Sequence, residues 1–193
     1  MEINKLMRNE IPERLQNIPT PPKQLYSIGA DLEELLKRPC VAVVGSRKVT
    51  AYGRQVTLEL AGRLAEQGIV IISGLALGVD ALAHQAALDA GGLTIAVLPG
   101  PVETVVPSSH RPLARRIVEQ GGVLLSEYPA GTVAYPGNFV ARNRLVAGLS
   151  DALVITEAAE KSGSLHTARY ALEQGKDVLA VPGNITSPTS AGT

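Results

Sequence analysis

A short apolar run at residues 40–44 stops abruptly at the polar loop 45–48, and a helical pattern begins at Ala51. Continuous apolar runs of this length are typical of strands that a parallel sheet buries on both faces. The glycine of the loop allows a sharp turn, and the hydroxyls of Ser46 and Thr50 can cap the next helix. Because parallel sheets bind ligands at the carboxyl ends of their strands, the arginine and lysine of this loop predict an anion site.

The change from strand to helix recurs along the chain. The predicted strands are residues 40–44, 69–72, 93–98, 123–125, 152–155 and 178–181, and the predicted helices are 51–67, 79–89, 111–120, 140–148 and 164–174. Strands that alternate with helices predict the α/β class, here a doubly wound (Rossmann-like) parallel sheet of about six strands with helices on both faces.

Residues 1–39 differ from the remainder because Pro12, Pro19, Pro21 and Pro22 leave room only for short helices, at residues 11–15 and 31–37. We expect residues 1–39 to form an N-terminal arm that packs on the core. Residues 40–193 then form the Rossmann-like, ligand-binding domain. Since the polar stretch 187–193 directly follows a core strand, we expect this domain to be truncated at its C-terminal end.

The composition narrows the function. Eighteen Lys and Arg residues balance eighteen Asp and Glu residues, so the net charge is zero. Zero net charge argues against binding of polyanions through bulk charge, but it is compatible with a local basic groove. The single cysteine, Cys40, lies in an apolar strand, so no disulfide framework is expected. We find no apolar run that could span a bilayer and no signal peptide, which predicts a cytoplasmic protein without a membrane partner.

Several loops at the predicted strand ends place glycine and serine directly before a helix. Examples are residues 45–48, 73–78 and 162–167, and the last is the best phosphate cradle by composition. Backbone amides, hydroxyls and helix dipoles would then point at one cleft, an arrangement that suits phosphate. The cations near these loops are Arg47, Arg142, Arg144 and Lys161. The pattern therefore favours an anionic ligand.

The usual cofactor and catalytic signatures are missing. No strand is followed by GxGxxG, and no GxxxxGK[ST] loop occurs, so we expect no nucleotide cofactor. Asp80 and His84 could share a metal, but no third ligand has the right spacing, and we favour a hydrogen-bonded pair that orients loop 74–78. His110 and His166 form no triad with a serine in a G-x-S-x-G setting. No catalytic residue is predicted.

Two arginines, Arg142 and Arg144, lie near the start of the predicted helix 140–148, before its apolar residues. Arg142 and Asn143 would open this helix, where cations oppose the helix dipole. The pair is either a solvated surface feature or part of a ligand site. Phe139, the only phenylalanine, stands beside it. An aromatic ring next to arginines is what stacking on an unpaired base requires, although core packing is the commoner fate of phenylalanine.

Taken together, these motifs resemble the DNA-processing protein A (DprA/Smf) family over nearly the whole chain. The matching segments are residues 43–47 with 50–53, 73–76 with 78–80 and 83–84, 142–144 with 147–150, 162–165 with 167–168, residues 181–183, and the arm residues Pro22, Leu25, Tyr26 and Gly29. The resemblance implies a non-enzymatic protein that binds single-stranded DNA and delivers it to the RecA recombinase during natural transformation. It also implies a homodimer.

The resemblance further implies one positively charged pocket, formed by residues 45–47, 142–144 and 162–164. With the neighbouring loop residues described above, the predicted DNA-binding set is Gly45, Ser46, Arg47, Lys48, Ser73, Gly74, Phe139, Arg142, Asn143, Arg144, Lys161, Ser162, Gly163 and Ser164.

The main alternative is an enzyme that binds a nucleoside monophosphate, similar to the phosphoribohydrolase (lysine-decarboxylase-like) branch of the same fold. Members of that branch carry a PGGxGTxxE loop with a catalytic glutamate. Here residues 162–167 are followed by Ala168, Arg169 and Tyr170, so no glutamate stands at that offset. A nucleotide sensor that uses the same pocket is a third hypothesis.

Overall fold

Six strands form the parallel sheet that the apolar runs predict. In the computed structural model, which describes residues 2–193, they are β3 (Cys40–Val44), β4 (Val70–Ser73), β5 (Thr94–Val97), β6 (Val123–Ser126), β7 (Ala152–Ile155) and β8 (Asp177–Ala180). Neighbouring strands of this group pair in parallel. Because β4, β5 and β6 are buried at every position, their sequences read as continuous apolar runs. The predicted fold class is confirmed.

The order of the parallel strands is β6-β5-β4-β3-β7-β8. The chain therefore steps from β3 towards β6, and then returns to the other side of β3 to form β7. Such a reversal leaves a crevice at the carboxyl ends of the two strands that flank it. The fold thus provides a ligand site between β3 and β7.

The helices cover both faces of the sheet. Helices α3 (Ala51–Glu66), α4 (Val79–Asp89) and α5 (Arg111–Glu119) pack side by side, and α6 (Pro136–Leu149) packs on α7 (Ser164–Glu173). The side chains of β3 alternate between these two layers: Val43 joins the α3–α4 cluster, whereas Ala42 and Val44 join the cluster under α6.

Helix α6 begins at Pro136, four residues before the predicted start. Proline is favoured in the first turn because its missing N–H has no intrahelical partner to lose. The prediction that Arg142 and Asn143 open the helix is therefore wrong. Both residues lie well inside α6, away from the positive end of its dipole.

The N-terminal segment adds two strands that the sequence analysis does not predict. It contains β1 (Asn4–Met7), α1 (Glu13–Gln16), β2 (Gln24–Gly29) and α2 (Leu32–Leu36). Strand β1 pairs with β2, and β2 pairs with β6, both antiparallel, so the sheet has eight strands. The two predicted short helices are confirmed.

Helix α1 packs on α6 where a glycine makes room. A side chain at Gly148 would come within 2.7 Å of Leu15 and 3.0 Å of Ile18.

Among residues 2–193, no helix combines the length and the apolar character needed to cross a membrane.

Candidate functional site

A cavity of about 630 Å³, which we call the strand-end cleft, opens where the strand order reverses between β3 and β7. Its walls are the β3–α3 loop (residues 45–50), the β4–α4 loop (74–78), the β7–α7 loop (156–163) and one face of α6. The predicted residues that line it are Gly45, Ser46, Arg47, Lys48, Gly74, Phe139, Arg142, Asn143, Lys161, Ser162, Gly163 and Ser164. Ser73 and Arg144 are not among the lining residues.

The β3–α3 loop is held in shape by its own serine. The Ser46 amide donates to the Glu157 carbonyl over 2.8 Å. The Ser46 hydroxyl donates to the Lys48 carbonyl over 2.9 Å and accepts from the Lys48 amide over 3.1 Å. Since these bonds use only the backbone of Lys48, the exposed side chains of Arg47 and Lys48 remain available to a ligand. The capping prediction is confirmed for Thr50, whose hydroxyl accepts from the Gly53 amide over 3.0 Å, but not for Ser46.

Arg47 is an exposed cation beside an aromatic ring. Its guanidinium carbon lies 5.2 Å from the centroid of the Phe139 ring, a distance that allows a cation–π contact. No carboxylate of residues 2–193 lies within 4.0 Å of this guanidinium. The charge of Arg47 is therefore available to an incoming anion, and the ring holds the side chain in place.

Arg142 forms the floor of the strand-end cleft. It is 3% exposed, and its guanidinium donates to the carbonyls of Gly74, over 2.6 Å, and Val97. A side chain at Gly74 would overlap this guanidinium, so the close approach requires glycine. Burial lowers the pKa of Arg142 to about 10, although the nearby Asp80 carboxylate favours the charged form. Arg142 thus adds positive potential from below and is bound to carbonyls of the protein.

Asp80 orients the β4–α4 loop, but without the predicted hydrogen bond to His84. Its carboxylate accepts the amides of Gly74, over 3.1 Å, and Ala76, over 3.3 Å. Burial raises the pKa of this carboxyl above its usual value, and the charge of Arg142 opposes the increase.

His84 does not pair with Asp80. Its Nδ1 lies 2.6 Å from the hydroxyl of Thr94, which itself donates to the Ile71 carbonyl, so Nδ1 is the donor. Over residues 2–193, no group of three His, Cys, Asp or Glu side chains is placed to hold a metal ion.

The two predicted residues outside the cleft have internal partners. Arg144 donates to the Glu127 carboxylate over 2.8 Å and to the Thr20 carbonyl over 2.8 Å, which joins the N-terminal segment to α6. The Ser73 hydroxyl is buried and donates to the Val43 carbonyl over 2.7 Å. The structure therefore separates these two residues from the other twelve.

The β7–α7 loop forms the opposite wall. Lys161 is exposed there, and the hydroxyls of Ser162 and Ser164 are 2.8 Å apart. Nothing lies within 4 Å of the position that a side chain at Gly163 would take, so the backbone is open to the cleft at this point. Because Gly163 precedes α7, the positive end of that helix dipole points into the same space.

The face of α6 also contributes apolar residues that the sequence analysis misses. Val140 and Val146 line the cleft, together with Thr189 from the C-terminal segment. On a helix, residues three, four and seven apart share one face, so Phe139, Asn143 and Val146 lie together. This spacing could have identified Val146, had the helix start been predicted correctly.

Comparison with known proteins identifies relatives over the whole fold. The family model described as DNA recombination-mediator protein A matches residues 3–193. The protein Smf of Escherichia coli is 47% identical over 152 residues, which are 79% of this chain and 41% of Smf. The chain spans about half the length of the curated relatives that it matches.

Two solved structures are similar along nearly the entire chain, each at 37% identity. A structure of DNA processing protein A from Helicobacter pylori, which concerns its single-stranded DNA binding mode, gives a TM-score of 0.89 and covers 98% of this chain and 85% of that one. The X-ray structure of DNA processing protein A from Streptococcus pneumoniae gives a TM-score of 0.91 and covers 100% and 67%.

Proposed function

The chain belongs to the DNA recombination-mediator protein A family, and on this premise we propose that it binds single-stranded DNA in the strand-end cleft. The observation that carries the proposal is the distribution of free charge. The exposed cations Arg47 and Lys48 stand on one wall and Lys161 on the other, while the net charge of the chain is zero. A local basic cleft on a neutral protein concentrates phosphate contacts in one place.

In this proposal the phosphates of the strand lie along the β3–α3 and β7–α7 loops. Arg47 and Lys48 contact phosphate from one side, while Lys161 and the open backbone at Gly163 contact it from the other. Phe139 offers a ring on which an unpaired base can stack. Base edges are largely unread, so binding depends little on sequence.

We propose that the protein is not an enzyme. Asp80 is the carboxylate that lines the cleft within residues 2–193, and its oxygen already accepts two backbone amides. A general acid or base needs a carboxyl that can reach the reacting group. The rival hypothesis, a nucleoside-monophosphate hydrolase, requires such a group, and incubation with nucleoside monophosphates would support it only if free base appeared.

From the family we further propose that the protein delivers single-stranded DNA to RecA in the cytoplasm as part of recombination or natural transformation, and that it forms a homodimer. Residues 40–193 carry the proposed DNA site. We expect the arm, of which the structure describes residues 2–39, to support this site from the edge of the sheet.

The test is a fluorescence titration of a labelled oligonucleotide at several salt concentrations. Each phosphate contact on a single strand contributes a slope of about −0.7 to a plot of log affinity against log salt, so three cations predict about −2. A duplex of the same length should bind more weakly, because paired bases cannot stack on Phe139. A flat salt dependence, or equal affinity for the duplex, would contradict the proposal.

A further inference from the structure

Glu157 lies behind the β3–α3 loop and holds both of its ends. Its main-chain carbonyl accepts the Ser46 amide over 2.8 Å. Its carboxylate oxygen Oε2 accepts the Thr50 amide over 3.0 Å and the Thr50 hydroxyl over 3.1 Å. Arg47 and Lys48, the proposed phosphate contacts, lie between these two anchor points. Glu157, which follows strand β7, therefore binds both the start and the end of the loop.

The other side of the same loop is fixed by α4. The Ser46 carbonyl accepts the Val79 amide over 3.1 Å, and a side chain at Gly78 would overlap that carbonyl. The Ser46 peptide is thus bonded to Glu157 through its amide and to Val79 through its carbonyl. The residues between, Arg47–Val49, are held by the Ser46 hydroxyl at Lys48 and, at their far end, by the hydrogen bonds that Thr50 donates to the Glu157 carboxylate.

Glu157 leaves no room for a side chain at two nearby glycines, Gly53 and Gly45. A side chain at Gly53 would overlap the carboxylate of Glu157, and one at Gly45 would come within 2.8 Å of its carbonyl. By contrast, a side chain at Gly62, in the same helix as Gly53, would have its nearest neighbour at 3.9 Å. Helix α3 thus contains Gly53, where the Glu157 carboxylate leaves no room for a side chain, and Gly62, where a side chain has room.

Glu157 itself does not line the strand-end cleft. It is 3% exposed, and its second oxygen, Oε1, is buried without a hydrogen-bond partner among residues 2–193. A buried carboxylate oxygen without a partner is costly. Natural proteins keep such costs mainly where function requires them.

We propose that Glu157 is a positioning residue for DNA binding: it fixes the β3–α3 loop so that Arg47 stays against Phe139 and faces the cleft. This proposal rests on the proposed function, because its consequence is measured as affinity for single-stranded DNA. The structural part of the proposal can be tested without DNA, since Thr50 donates two hydrogen bonds to the carboxylate whether or not DNA is bound.

The experiment compares affinities for a labelled single strand among matched variants. Glu157→Ala removes the carboxylate, and Gly53→Ala displaces it, so both should bind about tenfold more weakly. Glu157→Gln keeps an oxygen that can accept from Thr50 and should stay within about twofold of the unmodified protein. Gly62→Ala is the control for an alanine in the same helix and should bind normally.

A double-mutant cycle separates positioning from general stability. If Glu157 acts through Arg47, the tenfold effect of Gly53→Ala should shrink to about twofold in an Arg47→Ala background. In parallel, hydrogen exchange of the Thr50 amide should accelerate in Glu157→Ala and Gly53→Ala, but not in Gly62→Ala, while the Ile72 amide in β4 stays protected.

The outcomes distinguish this proposal from the proposed function. Normal binding by Glu157→Ala and Gly53→Ala, with weaker binding by Arg47→Ala, overturns the positioning role and leaves DNA binding intact. Full additivity in the cycle also overturns it. If the unmodified protein binds no single-stranded DNA, the proposed function fails, and unchanged exchange at Thr50 would overturn the positioning role as well.

Discussion

The β3–α3 loop and helix α6 both carry arginines that the sequence assigns to one pocket, yet the structure uses them differently. Arg47 is exposed, has no carboxylate partner among residues 2–193 and rests against Phe139. Arg142 and Arg144 are buried and bound, one to carbonyls at two strand ends and the other to Glu127. The residue type is the same in both regions, and burial separates an exposed cation that is available to a ligand from cations whose donors are used within the protein.

This difference has a physical basis. A guanidinium offers five donors, and in a protein interior it must have acceptors for them. Helix α6 places the Arg142 guanidinium against the carbonyls of Gly74 and Val97, so its donors are used within the protein. The β3–α3 loop projects Arg47 to solvent, where phosphate can provide the acceptors. Variants that separate stability from affinity therefore test the comparison directly.

The largest effect should come from Arg142→Ala. It leaves the carbonyls of Gly74 and Val97 without their donor and removes the positive charge near buried Asp80, so the free energy of unfolding should fall by about 3 kcal/mol. Urea denaturation measures the loss. The control is Arg169→Ala, since Arg169 forms only an exposed pair with Glu173 and its loss should leave the free energy of unfolding nearly unchanged. Equal losses in the two variants would contradict the structural role of Arg142.

Arg144→Ala should lower the free energy of unfolding by about 2 kcal/mol, because it leaves the partly buried Glu127 carboxylate without its partner. At a temperature where the variant remains folded, its affinity for single-stranded DNA should be unchanged. Denaturation and fluorescence titration on the same sample measure the two quantities. Weaker DNA binding at unchanged stability would show that Arg144 reaches the strand, and would restore the assignment made from the sequence.

The two arginines of α6 also show what the sequence could and could not predict. The apolar runs were sufficient for six strands and five helices, because a buried parallel strand leaves a local signal. Strands β1 and β2 left no such signal, since β1 is largely exposed and β2 pairs with β6, a strand almost one hundred residues later. The partners of Arg142 and Arg144 are also non-local: Glu127 is 17 residues away, Val97 45, Gly74 68 and Thr20 124. Local composition identified the loops of the site, but burial by residues distant in sequence decides which arginine is exposed and which is bound within the protein.

His84 is fully buried near Arg142 and must stay neutral in the folded protein. Burial, together with the charge of Arg142, lowers the pKa of His84 to about 3. The unfolded chain binds a proton near pH 6.5 that the folded protein does not, so stability is fully present above that pH and falls as the pH decreases towards 3.

Between pH 6.5 and 5, this single group should lower the free energy of unfolding by about 1.5 kcal/mol. Urea denaturation at a series of pH values measures the slope, and His84→Gln, which has no proton to gain, should reduce it. A slope that is unchanged in His84→Gln would mean that His84 is not the group responsible. This experiment tests whether the buried surroundings of Arg142 exclude a second positive charge, that of a protonated His84.

The smallest effect on stability, but a specific effect on binding, is expected for Arg47. Arg47→Ala should change the free energy of unfolding by less than about 0.5 kcal/mol, because the side chain is exposed and has no carboxylate partner. Its affinity for single-stranded DNA should fall about tenfold for all sequences alike, and the salt slope should decrease by about 0.7. Arg47→Lys keeps the charge and should retain the slope, but a lysine loses the planar contact with Phe139 and should bind a few-fold more weakly. Titrations at three salt concentrations separate the two variants. If Arg47→Ala left the slope unchanged while Arg142→Ala reduced it in the folded state, the roles of the exposed loop and the buried helix would be the reverse of those argued from burial.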